Sequence, residues 1–146
     1  MNKQEIINII RSKIADKIQS FESLIAETRA SNNDTKSSMG DKYETGREML
    51  QQEINNLQRQ LNEVLNQQAV LQKITAEPSE KVQNGALVKT NKGLFYVSAS
   101  VGEILFENQK VMTVSAESPL VKAMFGKKMG DKFTINNIRQ DIEHIW

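Results

Sequence analysis

The sequence predicts an α+β chain: a long antiparallel helical hairpin over residues 1–77, a linker over 78–84, and a small antiparallel β-sheet unit with one short helix over 85–146. Three observations predict it. Apolar residues recur at three- and four-residue spacings along two stretches: Ile7, Ile10, Ile14, Ile18, Phe21, Ile25 and Thr28, then Leu50, Ile54, Leu57, Leu61, Val64, Gln68 and Leu71. That period is the seam of a coiled coil. Between the stripes, Ser31 to Asp41 is nearly free of apolar side chains, and a bend that short joins antiparallel neighbours. After Pro78 the texture changes to short runs rich in β-branched and aromatic residues, separated by Gly, Asn and Asp.

The first helix is expected over residues 3–29. Its interior lacks Gly and Pro, and Lys, Arg, Gln, Glu and Ala fill its outer face. The bend follows, where Ser, Asn, Asp and Gly compete with helical hydrogen bonding or free the backbone. The second helix is expected from about Gly40-Asp41 to about Thr75, with Asp41 as N-cap and Glu44 three residues on. Gln68 is the one polar lapse on its seam, at a position where the base of the hairpin meets solvent. Pro78 closes the segment, since proline cannot continue a helix and disfavours helical geometry just before itself.

In the second half, residues 86–90 and 94–98 flank Asn91-Lys92-Gly93, a hairpin signal. Residues 104–106 and 111–115 read as strands around Glu107-Asn108-Gln109. Ser118 to Gly126 reads as one short helix, with Ser118 as N-cap, Pro119 in the first turn and Gly126 as the stop. Residues 132–135 follow the Gly130-Asp131 turn, and residues 142–146 form a closing strand. Trp146, Phe95, Tyr96 and Phe106 are the expected aromatic core of this sheet.

Composition bounds the function. With 146 residues, 38% hydrophobic and 25% charged, only a modest core is available, which suits a narrow seam and a small sheet. Net charge is +1: 11 Lys and Arg against 12 Asp and Glu up to Asn84, then 8 against 6. Neither half is basic enough to neutralise many phosphates, which excludes extended binding to duplex DNA. The absence of cysteine excludes thiolate catalysis, disulfides and Cys-ligated zinc. Met1-Asn2-Lys3-Gln4-Glu5 leads straight into an amphipathic pattern, and no run approaches the roughly 20 apolar residues that span a bilayer. The expected chain is soluble and cytoplasmic, without a membrane partner. Gly-rich phosphate loops, nucleophile motifs and histidine clusters are missing as well, and His144 stands alone, so the chain has little with which to act as an independent enzyme.

A long helical hairpin followed by this kind of sheet unit resembles the Gre-type transcription elongation and transcript-cleavage factors of bacteria (GreA and GreB and their relatives). The most specific stretch is Ser118-Pro119-Leu120 through Ala123, then Phe125-Gly126-Lys127-Lys128 and Gly130-Asp131, which looks like the family's carboxy-terminal signature. Ile25-Ala26-Glu27-Thr28-Arg29 and Tyr43-x-x-x-Arg47-Glu48 are similar to the family's flanks on either side of the hairpin tip. The resemblance implies a sheet domain with the fold of FK506-binding prolyl isomerases, docked at the rim of the secondary channel of RNA polymerase. It implies a hairpin that enters the channel, indirect contact with nascent RNA, and tip carboxylates that help hold a metal ion in the polymerase active site. The polymerase then hydrolyses the 3′ end of a backtracked transcript, and the factor itself needs no complete active site.

On that resemblance Asp34, Asp41 and Glu44 are the candidate catalytic tip acids. Asp34 and Asp41 are the candidate ligands of a Mg2+ shared with the polymerase, with no cofactor bound by the chain alone. Mg2+ takes oxygen ligands beside phosphates, and a second metal stabilises the attacking and leaving oxygens of phosphoryl transfer. Asp34 aligns with the family's tip aspartate. The family's second acid follows sooner than Asp41 does here, by about two residues, and Glu44 has no clear counterpart. Ser118, Pro119, Lys122, Lys127 and Lys128 are the candidate partner-binding residues. Taken without the resemblance, Asp41 and Glu44 are a helix cap worth ~1 kcal/mol, Asp34 is a turn aspartate, and the lysines solubilise a small domain. The alternative functions are a non-cleaving modulator of the polymerase with this fold, and a coiled-coil adaptor in which the tip acids are dispensable.

Overall fold

A computed structural model describes residues 1–36 and 44–146, with side chains outside 32–45. The element order is α1 (Lys3–Lys36), α2 (Glu44–Gln72), β1 (Leu87–Thr90), β2 (Gly93–Val97), β3 (Gly102–Phe106), β4 (Gln109–Val114), α3 (Pro119–Met124), β5 (Lys132–Ile135) and β6 (Ile138–Ile145). This is an α+β architecture, a long helical hairpin followed by a six-stranded sheet with one short helix. The chain forms two compact units, one of Met1–Lys13 with Gln67–Trp146 and the other of Ile14–Asn66.

The unit of Ile14–Asn66 is built from the middle and end of α1 and most of α2. Residues 14–36 and 44–66 supply arms that at 1.5 Å per residue each extend about 35 Å. Seven residues separate α1 from α2, and they reach at most about 25 Å even when fully extended. A parallel arrangement is out of their reach, so the arms are antiparallel. Ile25, Ile54, Leu57 and Leu61 form one buried cluster with Ile18 and Phe21 packed on it. The outer faces are held in helical form by i to i+4 amide pairs, Gln51 to Asn55 at 3.1 Å and Gln58 to Asn62 at 3.2 Å.

The first helix continues past the expected end at Arg29 through Ser31-Asn32-Asn33-Asp34-Thr35 to Lys36. Each of these residues costs only a few tenths of a kcal/mol in a helix relative to better formers, and neither Gly nor Pro interrupts them. Thr28 satisfies its hydroxyl by donating to Leu24 O at 2.7 Å and stays helical. The second helix ends at Gln72, where Lys73 N to Val70 O (3.2 Å) and Ile74 N to Leu71 O (3.1 Å) tighten the last turn.

In the other unit the strand order is β3-β4-β2-β1-β6-β5. Adjacent pairs are antiparallel except β2 and β4, which run parallel, with Leu94 opposite Val111 and Val97 opposite Val114. That departs from the expected all-antiparallel sheet. The tight turn at Glu107-Asn108, both at positive φ (50° and 63°), folds β3 and β4 into a hairpin, and it is β4 of that hairpin that pairs with β2. β3 is left at the sheet edge, and β4 returns beside β2 in the same direction as β2. A second turn of this kind, Asn136-Asn137 (φ 53° and 62°), joins β5 to β6, so the closing strand starts at Ile138 rather than Ile142.

Both faces of the sheet are buried. One face carries Val88, Val97, Val114, Ile142 and Ile145, which join Val121 and Met124 of α3 and Phe133 in one core. A register shift between Lys89 and Thr90 allows Ile142 and Ile145, three residues apart, to face the same side. The opposite face carries Leu87, Leu94, Tyr96, Ile104, Phe106 and Val111. The first turns of α1 and the end of α2 belong to this same unit, and Ile6, Ile7 and Ile10 are at most 2% exposed there. Three side chains tie these helix ends to backbone in or beside the sheet: Lys13 Nζ to Glu103 O in β3 (3.2 Å), Gln67 Nε2 to Ser100 O before β3 (2.8 Å) and Lys3 Nζ to Trp146 O after β6 (3.0 Å). Lys3 is 4% exposed and also donates to Glu77 O at 2.6 Å. Asn2 caps α1 by accepting from Glu5 N at 3.2 Å.

Tyr96 is fully buried and its hydroxyl has no hydrogen-bond partner among the described residues. Burial pushes its phenol up to about 12 from the ordinary 10.0. The stabilisation that this shift represents is complete below pH 10.0 and is lost as pH rises toward about 12. Burial moves the Lys3 ammonium the other way, below its ordinary 10.5, so its effect favours the folded state as pH rises. Tyr96→Phe is therefore expected to hold neutral-pH stability within about 1 kcal/mol of wild type or above it. Denaturant titrations at stepped pH will show a shallower loss of stability between pH 10 and about 12 than in the parent; an unchanged slope contradicts this assignment. In the two-helix unit, Leu57→Asp puts a charge into the seam and is expected to cost at least about 3 kcal/mol. The readout is a loss of helical circular dichroism with Trp146 fluorescence largely retained.

Candidate functional site

Two of the three candidate acids, Asp34 and Glu44, fall at the ends of α1 and α2 that adjoin in sequence. Asp34 belongs to the last turn of α1, two residues before Lys36, and so lies on a helix rather than in a turn. Glu44 is the first residue of α2, where a carboxylate favours the helix dipole. Both are placed by backbone alone. Asp41, with its expected role as N-cap, lies outside the described residues.

Charge divides unevenly between the units. Ile14–Asn66 carries 6 Lys and Arg against 9 Asp and Glu, a net −3, and the remainder carries 13 against 9, a net +4. Among the described residues no three acidic or histidine side chains gather to hold a metal ion. An open groove on α1, lined by Asp16, Gln19, Ser20, Ser23 and Leu24, offers one carboxylate and no paired base, which is not a catalytic constellation. His144 packs its ring against Trp146, with centroids 4.2 Å apart. No described helix is long and apolar enough to cross a membrane.

The candidate partner-binding residues sit on α3 and the loop after it. Ser118 accepts from Val121 N at 3.2 Å as N-cap, and Pro119 opens the helix, as the residue pattern predicts. Lys122 is exposed in the last turn, where its charge suits the helix dipole. Phe125 ends α3, and Gly126 follows at φ 80°, the left-handed conformation that closes many helices. Lys127 is half-buried and Lys128 exposed.

The loop they occupy is pinned on both sides. Gly126 N donates to Val82 O and Val82 N to Lys127 O, both at 2.8 Å. The Asp131 carboxylate accepts from Lys128 N at 2.8 Å, Asp131 N donates to Lys128 O at 3.0 Å, and Gly130 N donates to Ile142 O at 2.8 Å. Sequence reasoning named Ser118, Pro119, Lys122, Lys127 and Lys128 and missed the exposed apolar residues of the same loop. Phe125 and Met129 are 54% and 56% exposed. The available signal was their spacing: two large apolar residues bracket Gly126-Lys127-Lys128, where a compact turn leaves no room to bury either.

No family model and no curated protein matches the chain. Among solved structures it is similar to the crystal structure of GreA factor homolog 1 (Gfh1) of Thermus thermophilus, at 16% identity over 93% of this chain and 94% of that chain, with a TM-score of 0.39. It is also similar to a structure of the transcription factor Gfh1, at 16% identity over 91% of this chain and 89% of that chain, with a TM-score of 0.38.

Removing the Ser118 hydroxyl tests how firmly α3 is set. Ser118→Ala is expected to lower unfolding free energy by about 1 kcal/mol, and Ser118→Gly by only a few tenths. Chemical denaturation reads both, and equal losses would show that the hydroxyl does not cap.

Proposed function

We propose that this chain is an accessory factor of RNA polymerase of the Gre type. The unit containing the sheet docks on the polymerase through the surface of Ser118, Pro119, Lys122, Lys127 and Lys128. The joined end of α1 and α2 enters the secondary channel. Asp34, Asp41 and Glu44 act there on the active-site Mg2+, promoting cleavage of backtracked transcripts by the polymerase itself. The chain is a stimulator under this reading, not an enzyme.

The observation that carries the reading is the two-helix unit. Its arms pack along a single apolar seam, its net charge is −3, and acidic residues stand at the end where the arms are joined. A pair of arms about 35 Å long with one shared seam is a poor container for a ligand and a suitable carrier of a few side chains. Carboxylate oxygens are the donors Mg2+ prefers, and the ion stabilises charge on the oxygens of phosphoryl transfer. The Ser118-to-Asp131 stretch adds support: its cap, its glycine stop and its acidic turn all take the local structure that the resemblance implies.

Stalled elongation complexes supply the test, with 3′-end transcript mapping as readout. Wild-type protein is expected to increase cleavage, and Asp34→Ala combined with Asp41→Ala to reduce it at least about tenfold, the equivalent of 1.4 kcal/mol in barrier, with binding retained. Polymerase binding without any change in cleavage would replace this reading with a non-cleaving modulator. Absence of binding would end it.

A further inference from the structure

Around the loop after α3 the unit spends stability on charge that it leaves unused. Lys81 and Lys128 are directly opposed in an isolated antiparallel bridge, and like charges in that position are destabilising. Lys127 precedes Lys128 in the loop, and Lys122 is exposed in the last turn of α3 just before it. Among the described residues the salt bridges are Lys89 with Glu143 and Lys132 with Asp141, so none of these four lysines is neutralised by a carboxylate side chain. The one acid within the loop, Asp131, is turned to the backbone N–H of Lys128. Phe125 and Met129 stand in the same loop, each more than half exposed. Hydrogen bonds to Val82 and Ile142 hold the loop backbone in place, so little ordering remains to be done on binding.

We infer that Lys81, Lys122, Lys127 and Lys128, with Phe125 and Met129 as anchors, form a docking surface for an acidic protein segment that presents large apolar side chains. The inference rests on the proposed function, in which that segment belongs to RNA polymerase, and it assigns the chemistry of the contact. Charge complementarity selects an acidic partner, since four unneutralised ammonium groups are desolvated favourably only against carboxylates or phosphates. The apolar pair decides between those two. A nucleic-acid site would favour arginine forks and stacking rings, whereas the loop supplies lysines and a thioether, and a protein interface buries Phe and Met at its centre.

Binding of the full chain to immobilised core RNA polymerase, measured by biolayer interferometry at about 50 and 300 mM salt, separates the two contributions. Phe125→Ser with Met129→Ser is expected to weaken binding about 30-fold or more at both salt concentrations, the scale of an interface hot spot. Lys81→Gln with Lys128→Gln is expected to weaken binding about tenfold at the lower salt and much less at the higher. The same lysine variant should melt at or above the wild-type temperature, because it relieves the opposed charges; a merely structural pair would melt lower. If either double variant binds as wild type does, the surface assignment fails while the polymerase reading stands.

If wild type does not bind polymerase, the polymerase reading fails, and the surface is judged on a designed probe. The probe is a helical peptide of Glu and Leu, titrated into 15N-labelled full chain beside a Glu and Ser control. Saturable amide shifts at Gly126, Lys128, Met129 and Gly130 with the leucine peptide alone uphold the inference. Equal shifts with the control, stronger shifts with a single-stranded oligonucleotide, concentration-dependent shifts from self-association, or none at all overturn it.

Discussion

One row of apolar contacts governs what the unit of Ile14–Asn66 can be. Most helical stability in a protein comes from packing of an amphipathic face rather than from helix propensity, so these helices depend on a partner that covers one face. Here the partner is the other arm. Ile18, Phe21 and Ile25 meet Ile54, Leu57 and Leu61. With only two helices in the unit, each position on the seam holds both arms in place, and the outer faces are free to be polar. Amide pairs such as Gln58 with Asn62 keep those faces helical without adding charge. Charged residues, the acids among them, can then be carried along both arms without disturbing the packing.

The sheet-bearing unit solves a different problem, that of a small sheet with two faces to cover. α3 covers one face with only Val121 and Met124 fully buried, helped by the β6 bulge that brings Ile142 and Ile145 to the same side. The other face is accompanied in this unit by Ile6, Ile7 and Ile10. Burying each of these is worth roughly 1.5–3 kcal/mol. Lys3 is the unusual component, a buried ammonium satisfied by main-chain oxygens of Glu77 and Trp146 and by no acidic side chain. Its burial opposes its own charge, as the lowered pKa indicates, and it persists because the surrounding packing holds it there.

Legibility followed the range of the interactions. The α3 cap and stop, the hairpins at Asn91-Lys92 and Glu107-Asn108, and the two helical seams are written in residues within a few positions of one another, and they were readable. The extension of α1 to Lys36 was not, because weak helix formers such as Asn32 and Asn33 deter a helix without stopping it. The parallel pairing of β2 with β4 was illegible for another reason: nothing local to either strand records which distant strand it adopts. Assignment of Ile6, Ile7 and Ile10 to the sheet-bearing unit was hidden inside a helical period that continues unbroken into Ile14. For the candidate site, the local structure at Ser118, Pro119 and Gly126 was legible from the residue pattern. The exposure of Phe125 and Met129 and the opposition of Lys81 to Lys128 needed the folded loop, since Lys81 is distant in sequence from its partner.

The functional account joins these features: a seam that leaves one end free to carry acids, and a small sheet unit with an unneutralised basic surface. Its central claim is that the joined end of α1 and α2 meets the catalytic centre of RNA polymerase. Photocrosslinking tests this most directly, with p-benzoyl-phenylalanine placed at position 39, between the two helices, in elongation complexes halted on a defined template. The account predicts a covalent link to the largest polymerase subunits near the RNA 3′ end, stronger in backtracked complexes. Crosslinks confined to the outer surface of the polymerase, or an absence of crosslinks where binding is saturated, would contradict it.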